Sequence, residues 1–442
     1  MTFLKGFQRV LKMTEVICED KFILLKSKEL HQSLFNSIRR TLISHIPTLG
    51  FEEYLDPEDY ALLNQAFQLK LNRQRHVVLD NNTCFSIPMI SHRLSRLPMF
   101  TSSETLQMLH LDDPNYRVFF TLDDDTGKPL QNKTNAAVKL TARSLKPRLF
   151  RKKLKALEEM EGTEAFEWLA QENTIDVNHL FPYDTFLLDL APGKKIHAIV
   201  TPVLGVGIDN PRWTPCVQRY RFNRDPEWQA THPIKTIIHK KENELSLRRQ
   251  FSTKPPSKRN PAEPDTYDLF MKPYEVELMV IANGKMAPGE ALRTSLLVLL
   301  ESLAHFSALI KTNDAFIEQT LDDGNNIARF ICPRDTYSAE AKDGANRIYT
   351  GHTLANMLVS KMLQIVTRDL IQSDICLLEK VLIAYKIPHP LIQQVIYTIQ
   401  LPIDEPVFQD GLGSPERAAQ VLLLKAAEEL MAEIQALQSK LK

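Results

Sequence analysis

The stretch Phe35–Pro47, FNSIRRTLISHIP, decides how the rest of the chain is read. At about 100° per residue, Leu30, Leu34, Phe35, Ile38, Leu42 and Ile46 fall on one side of a helix running from about Lys28 to Ile46, where Pro47 stops it. Arg40 points nearly opposite, with Ser33, Ser37 and Ser44 expected beside it on the outward face. Small residues around one guanidinium let another surface come close while the arginine makes a forked contact with a carboxylate or carbonyls. Periodicity alone leaves a solvated surface charge as the other reading. A related stretch, GHTLANMLVSKML at 351–363, returns far downstream.

Around this helix the chain reads as soluble and multi-domain. Its 442 residues exceed one simple core. Lys plus Arg and Asp plus Glu both number 54, so no global field draws the chain to nucleic acid or an anionic membrane. The five cysteines, Cys18, Cys84, Cys216, Cys332 and Cys376, have no short zinc or redox spacing and read as reduced thiols of an intracellular protein. The opening MTFLKGFQRVLKMTEVICEDK lacks the continuous apolar core of a secretory signal. The apolar run SLLVLLESLAHFSALI is broken by Glu301 and His305, and reads as too short and polar for a membrane span.

Strands are expected at FILLK (22–26), RVFFTLD, AVKLTARSL, DTFLLDL, KKIHAIVTPV and PCVQRYRF, and a charged helix from near Phe150. The proline-rich 251–266 reads as a loop. YEVELMVIA then leads through a turn at Asn283 and Gly284 into a helix from Pro288 to about Lys311. The polar segment 319–345 is expected to hold a domain boundary, followed by a strand, helix, strand, strand, helix pattern. Ser414 is a candidate N-cap for the last helix, whose apolar stripe needs a docking surface.

FNSIRRTLISHIPTLGFE resembles the signature helix of the alpha-like components of multisubunit RNA polymerases: the eukaryotic third-largest subunit, its archaeal D-like counterpart and the bacterial alpha amino-terminal domain. PMISHRLSRLPMF (88–100), VLGVGIDNPRWTPC (203–216) and YEVELMVIANGKMAPGEAL (274–292) are similar to further family segments. GHTLANML (351–358), AYKIPHPL (384–391) and the closing helix resemble the small alpha-like partner, the eleventh subunit or its archaeal L-like counterpart, with Asn356 equivalent to Asn36. The resemblance spans about residues 15–50, 85–145, 183–222 and 273–442. The chain looks like both halves of the alpha-like heterodimer in one polypeptide, as in large DNA viruses.

The resemblance implies an α+β fold: two alpha-like dimerisation modules, each a mixed sheet with long packed helices, and an inserted α+β or β domain in the first. The first module would take residues 1–50 and 273–320, the inserted domain 51–272, a linker 321–345 and the second module 346–442. The function implied is a noncatalytic assembly platform of a DNA-directed RNA polymerase. The implied partners are the beta-like second-largest subunit, the beta-prime-like largest subunit and small zinc-binding subunits, with DNA or RNA reached only through the complex and no membrane. Asn36, Ser37, Arg39 and Arg40 would face the large subunit, and His92, Arg93, Leu94 and Pro98 would dock an accessory subunit. The dimerisation helices would use Leu292, Leu296, Leu299 and Leu303 against Leu423, Ala427, Leu430, Ile434 and Leu437. The second motif comprises His352, Thr353, Leu354, Asn356, Pro388, His389 and Pro390. A viral source would place the chain in the virion and host cytoplasm, a cellular one in the nucleus.

The sequence departs from the family in lacking cysteines over 101–145, where some relatives carry zinc or iron-sulfur ligands, and Ala355 stands at a usual glycine. No metal, cofactor-binding or catalytic residue is expected. His352 reads as a cap or packing residue, and His389 lacks co-ligands. Asp123, Asp124 and Asp125 read as an exposed turn rather than a magnesium site. The basic runs SLKPRLFRKKLK and KPPSKRNP suit phosphate contacts or solvated faces, and the balanced total charge favours solvated faces. The competing function is a free-standing nucleic-acid-binding regulator built on those runs.

Overall fold

Alternating burial along FILLKS and a helical repeat just after it set the first elements, and a computed structural model carries them into a mixed α+β fold. It describes residues 14–28, 30–56, 59, 62–64, 76–111, 113–124, 127–152, 166–169, 175–223, 275–312, 316–322, 325–333, 335–337, 347–349, 351–371, 381–387, 394–401 and 415–441. In chain order the elements are β1 (Thr14–Cys18), β2 (Phe22–Ser27), α1 (Gln32–Ser44), β3 (Pro47–Phe51), β4 (Val78–Asn81), α2 (Ile87–Ser95) and α3 (Ser103–Met108). Next come β5 (Tyr116–Leu122), β6 (Leu130–Gln131), β7 (Val138–Thr141), β8 (Lys146–Lys152), β9 (Phe166–Trp168), α4 (Val177–Leu180), β10 (Phe186–Leu190), β11 (Lys195–Val200), β12 (Pro202–Val206) and β13 (Cys216–Asn223). The remainder is β14 (Glu275–Ala282), α5 (Pro288–Lys311), β15 (Phe316–Asp322), β16 (Asn325–Pro333), β17 (Asp335–Tyr337), β18 (Arg347–Tyr349), α6 (His352–Ile371), β19 (Leu382–Lys386), β20 (Gln394–Gln400) and α7 (Pro415–Lys440).

The chain divides into two compact units. Unit 1 comprises Met1–Leu42, Gln218–Ile281 and Leu292–Lys442. It holds two four-stranded sheets, in the orders β1-β2-β14-β13 and β15-β16-β20-β19. Leu292, Leu296, Leu299 and Leu303 of α5 are buried, as are Leu423, Ala427, Leu430, Ile434 and Leu437 of α7. By length and composition α5 is long and apolar enough to cross a membrane, contrary to the sequence reading, yet this leucine stripe is spent on the protein core. Helix α7 runs beside α6 and against β16 and β20. It meets the end of α5 where Gln420 Nε2 donates to the Ile310 carbonyl at 2.8 Å. Phe306 of α5 and Tyr397 of β20 pack with ring centroids 5.6 Å apart, and Lys440 Nζ donates to the Thr14 carbonyl.

Unit 2 comprises Ile43–Val217 and Ala282–Ala291. Its main sheet has the order β4-β11-β5-β8-β9, with β6 also on β11, and two-stranded ladders join β12 to β3 and β10 to β7. The core gathers Phe51, Phe119, Phe120, Phe150 and Phe181 with Leu94, Leu122 and Ile199.

Three expectations fail here. The charged helix from Phe150 is instead the end of β8, whose Leu149 and Phe150 are buried and which pairs with β5; β9 then pairs with Phe150–Lys152. The rest of that run, 153–165, lies outside the described residues. The segment 321–345, read as a linker, begins with strands: β15 pairs with β16, Asp322 facing Asn325, and β16 joins β20 in the second sheet of unit 1. Asp123 is buried rather than exposed, because it directly follows β5 and Arg148, paired in register with Phe119, reaches along the strand to its carboxylate. Arg148 forks onto both its carboxylate oxygens at 2.9 and 2.8 Å and donates through Nε to Thr121 at 3.1 Å. Arg148 belongs to the first basic run, so that part of the run is not offered to phosphate. KPPSKRNP, Asp125 and Ser414 lie outside the described residues.

Candidate functional site

Helix α1 buries Leu34, Phe35, Ile38 and Leu42 completely, as its 3.6-residue repeat requires. Arg40 is exposed on the other side. Arg39 is half-buried and folds back along its own helix, Nε and Nη2 both donating to Asn36 Oδ1 at 3.2 and 2.9 Å. Tyr220 OH donates to the Gln32 carbonyl at 3.1 Å, and burial, against the opposing pull of Arg39, raises its hydroxyl to about 12.

Ser33 and Ser37 correct the sequence reading: both are buried. Ser37 Oγ donates to the Thr353 carbonyl in the first turn of α6, at 3.2 Å. Small residues do admit a close neighbour on α1, but that neighbour is another segment of the same chain, so Ser37 is not available to a partner subunit. Ser33 Oγ lies 2.7 Å from His31 Nδ1, which also accepts the Ser33 amide at 3.2 Å. That nitrogen therefore carries no proton and the serine hydroxyl donates to it. Burial, helped by Lys361, lowers His31 to about 4, which keeps the ring neutral.

On α6, Asn356 is the fifth helical residue, as Asn36 is on α1. Thr353, Leu354 and Ala355 are buried. Ala355, at a usual family glycine, is thus taken into the packing of its helix. His352 packs edge-on to Tyr385 with centroids 5.8 Å apart, and has Nδ1 3.4 Å from its hydroxyl. Lys361 ties α6 to α7 through Glu433 at 2.6 Å and Glu429 at 3.2 Å, and Arg368 adds a second bond to Glu429 at 3.1 Å. Pro388, His389 and Pro390 lie outside the described residues.

The second set of candidates is in unit 2. Helix α2 presents Pro88, Met89, His92 and Arg96 outward. Leu94, expected at a docking surface, is instead wholly buried, one helical turn from Ile90 on the core side. Arg93 Nη1 donates to the Leu187 carbonyl at 2.9 Å with its guanidinium 4.6 Å from the centre of the Phe85 ring, so it holds α2 to its own unit. Pro98 is half-buried.

Beside this helix, Trp213 explains a glycine pattern. Gly50 of β3 and Gly205 of β12 share a face of their ladder, and a Cβ on either would come within 2.3 Å of the indole. A Cβ on Gly207 would meet the Ile43 carbonyl at 1.9 Å. Thr48 Oγ1 donates to the Trp213 carbonyl. Arg212 lies 4.7 Å from the centre of the indole ring and pairs with Glu52 at 2.9 Å and Glu53 at 3.4 Å. Lys285 stands 6.0 Å from the same ring. The sequence showed this motif without the reason for it, and held no sign of Lys285.

Among the described residues no group of three or more His, Cys, Asp or Glu side chains is placed to hold a metal ion. Cys18 and Cys84 are exposed free thiols; Cys216 and Cys332 are buried, and burial pushes Cys332 to about 12. Both candidate surfaces are therefore made of helix faces, paired charges and small residues, which suit protein association. A family model described as the RNA polymerase Rpb3/Rpb11 dimerisation domain matches residues 27–303, more than half of the chain. No curated protein matches the chain.

Proposed function

We propose a specific role for this chain, which belongs to the RNA polymerase Rpb3/Rpb11 dimerisation family and is thereby a noncatalytic RNA polymerase assembly subunit: it is the paired alpha-like platform in one polypeptide. The first half supplies α1 and α5, and the second half, beyond the matched residues, supplies α6 and α7. The observation that most supports this reading is the bond from Ser37 on α1 to Thr353 on α6. It joins the two helices that carry the related motifs near their equivalent fifth residues. The contacts Phe306–Tyr397 and Gln420–Ile310 extend the junction along α5. Fusion of the halves makes their encounter intramolecular, at an effective concentration of roughly millimolar for a suitable linker.

In this reading the platform receives the beta-like subunit on the exposed face of α1, at Arg40 with Arg39 and Asn36 behind it. An accessory zinc-binding subunit sits on the outward face of α2, through Met89, His92 and Arg96 rather than Leu94. The beta-prime-like subunit joins afterwards.

Order-of-addition reconstitution tests the role. The large subunits are mixed with this chain before or after their own assembly step, and RNA extension on a primed template is measured. An assembly platform is required during assembly and adds nothing once the enzyme is formed. Equal activity without the chain would refute the proposal. Tight, salt-sensitive binding of DNA by the isolated chain would favour the regulator reading instead.

A further inference from the structure

We infer that Lys285, set against Trp213 beside Arg212, is a socket for one carboxylate side chain of a protein partner. The socket deepens the assembly reading above and rests on it for the partner's identity.

The main chain at Lys285 is fixed through both its amide and its carbonyl. Its turn closes through the Lys285 amide donating to Asn283 Oδ1 at 3.1 Å, while Asn283 Nδ2 donates to the Thr214 carbonyl at 2.9 Å. Gly284 takes a φ of +92°, where a Cβ would also strike the Tyr183 ring at 2.5 Å. The Lys285 carbonyl accepts the Thr101 amide at 2.6 Å, tying the turn to the segment that follows α2. The residue is only 8% exposed, and its ammonium makes no ion pair with any described residue.

Its surroundings are cationic. Burial is the main cause, and Arg212 and Arg96 the lesser ones, that lower Lys285 to about 8. The carboxylates of Glu52 and Glu53 are engaged by Arg212, whose own Nε is buried without a partner. Two cations thus stand against one indole, Arg212 at 4.7 Å and Lys285 at 6.0 Å from its ring centre, beside two carboxylates that are already used. A buried ammonium without a counter-ion costs stability that a methionine of similar length would not. One incoming carboxylate would satisfy Lys285, and the exposed Arg96 adds to the positive potential that draws it. Glu52 and Glu53 on the rim repel a nucleic-acid strand, which would bring a charge at every nucleotide, whereas a single Asp or Glu passes them.

The test is zero-length carbodiimide cross-linking of the native complex recovered through a tag on the full chain, with the product mapped by mass spectrometry. The expected result is an isopeptide bond from Lys285 Nζ to an aspartate or glutamate of another polymerase subunit. Lys285→Met is expected to weaken retention of that subunit by about tenfold to a hundredfold, as for loss of a charged hydrogen bond, while raising the melting temperature of the isolated chain. Polymerase subunits recovered with Lys285 uncross-linked, and retained fully by the variant, would overturn the socket alone. A cross-link to an acidic residue of some other protein would support the socket and overturn the polymerase reading. Recovery of the chain by itself, or a Lys285 adduct to nucleic acid, would overturn the socket in either case.

Discussion

Replacing Gly205 by alanine tests the packing of unit 2 around the Trp213 indole. The new Cβ would lie 2.3, 2.4 and 2.5 Å from three atoms of the Trp213 indole, far inside van der Waals contact. The indole cannot swing away freely, since Trp213 is 3% exposed and its carbonyl accepts from Thr48. If the ring slides, the cost is that of overpacking, about 1–3 kcal/mol; if it is expelled, the cost approaches the ~3–5 kcal/mol of losing a large aromatic. The assay is a double-mutant cycle with Trp213→Ala, each protein unfolded in urea and followed by far-ultraviolet circular dichroism. Gly205→Ala should cost at least about 1 kcal/mol in the parent and less than about 0.5 kcal/mol once the indole is gone. Equal costs in both backgrounds would refute the packing argument.

Three other outcomes follow from named contacts. Asp123→Asn leaves the buried Arg148 guanidinium without its counter-charge and should cost about 3–5 kcal/mol by urea unfolding, whereas joint replacement of Asp123 and Arg148 by apolar residues should cost far less. Lys285 titrates near 8 in the folded chain against a usual 10.5, so between those values the unfolded chain binds more protons and stability rises with pH; the penalty, roughly 3 kcal/mol at most, is fully present below about pH 8. The stability advantage of Lys285→Met over the parent should therefore shrink from pH 8 to pH 10, and a pH-independent difference would exclude the buried ammonium as its source. Arg40→Glu alters an exposed position and should change stability by less than about 0.5 kcal/mol while reducing recovery of the large subunits, which a pull-down would show.

What the sequence made legible was local and periodic. The apolar face of α1 and the stripe of α7 follow from helical spacing, since the residues that each repeat collects are the buried ones, and the start of α5 follows from Pro288. The failures share a cause in long-range partners. A helical wheel divides α1 into an inner and an outer half, but contact with α6 takes in Ser37, and Ser33 is buried against His31. Asp123 opens a run of turn composition, and only the β5–β8 pairing brings Arg148 within reach of it. The polar stretch after α5 hides the antiparallel pair β15 and β16, whose partner β20 lies far downstream. Leu94 stands in a motif read for docking, yet Ile90 and Leu94 are one turn apart and form the inner face of α2. The glycines around Trp213 were legible as a pattern, but their reason is a ring laid on the β3–β12 ladder by the turn that follows β12.

The most direct test of the account is affinity purification of the tagged chain from its native context at moderate salt, with quantitative mass spectrometry of what accompanies it. The account predicts two very large polymerase subunits and a small zinc-binding subunit, each near one copy per chain. The chain recovered alone, or with nucleic acid and no polymerase subunit, would contradict it.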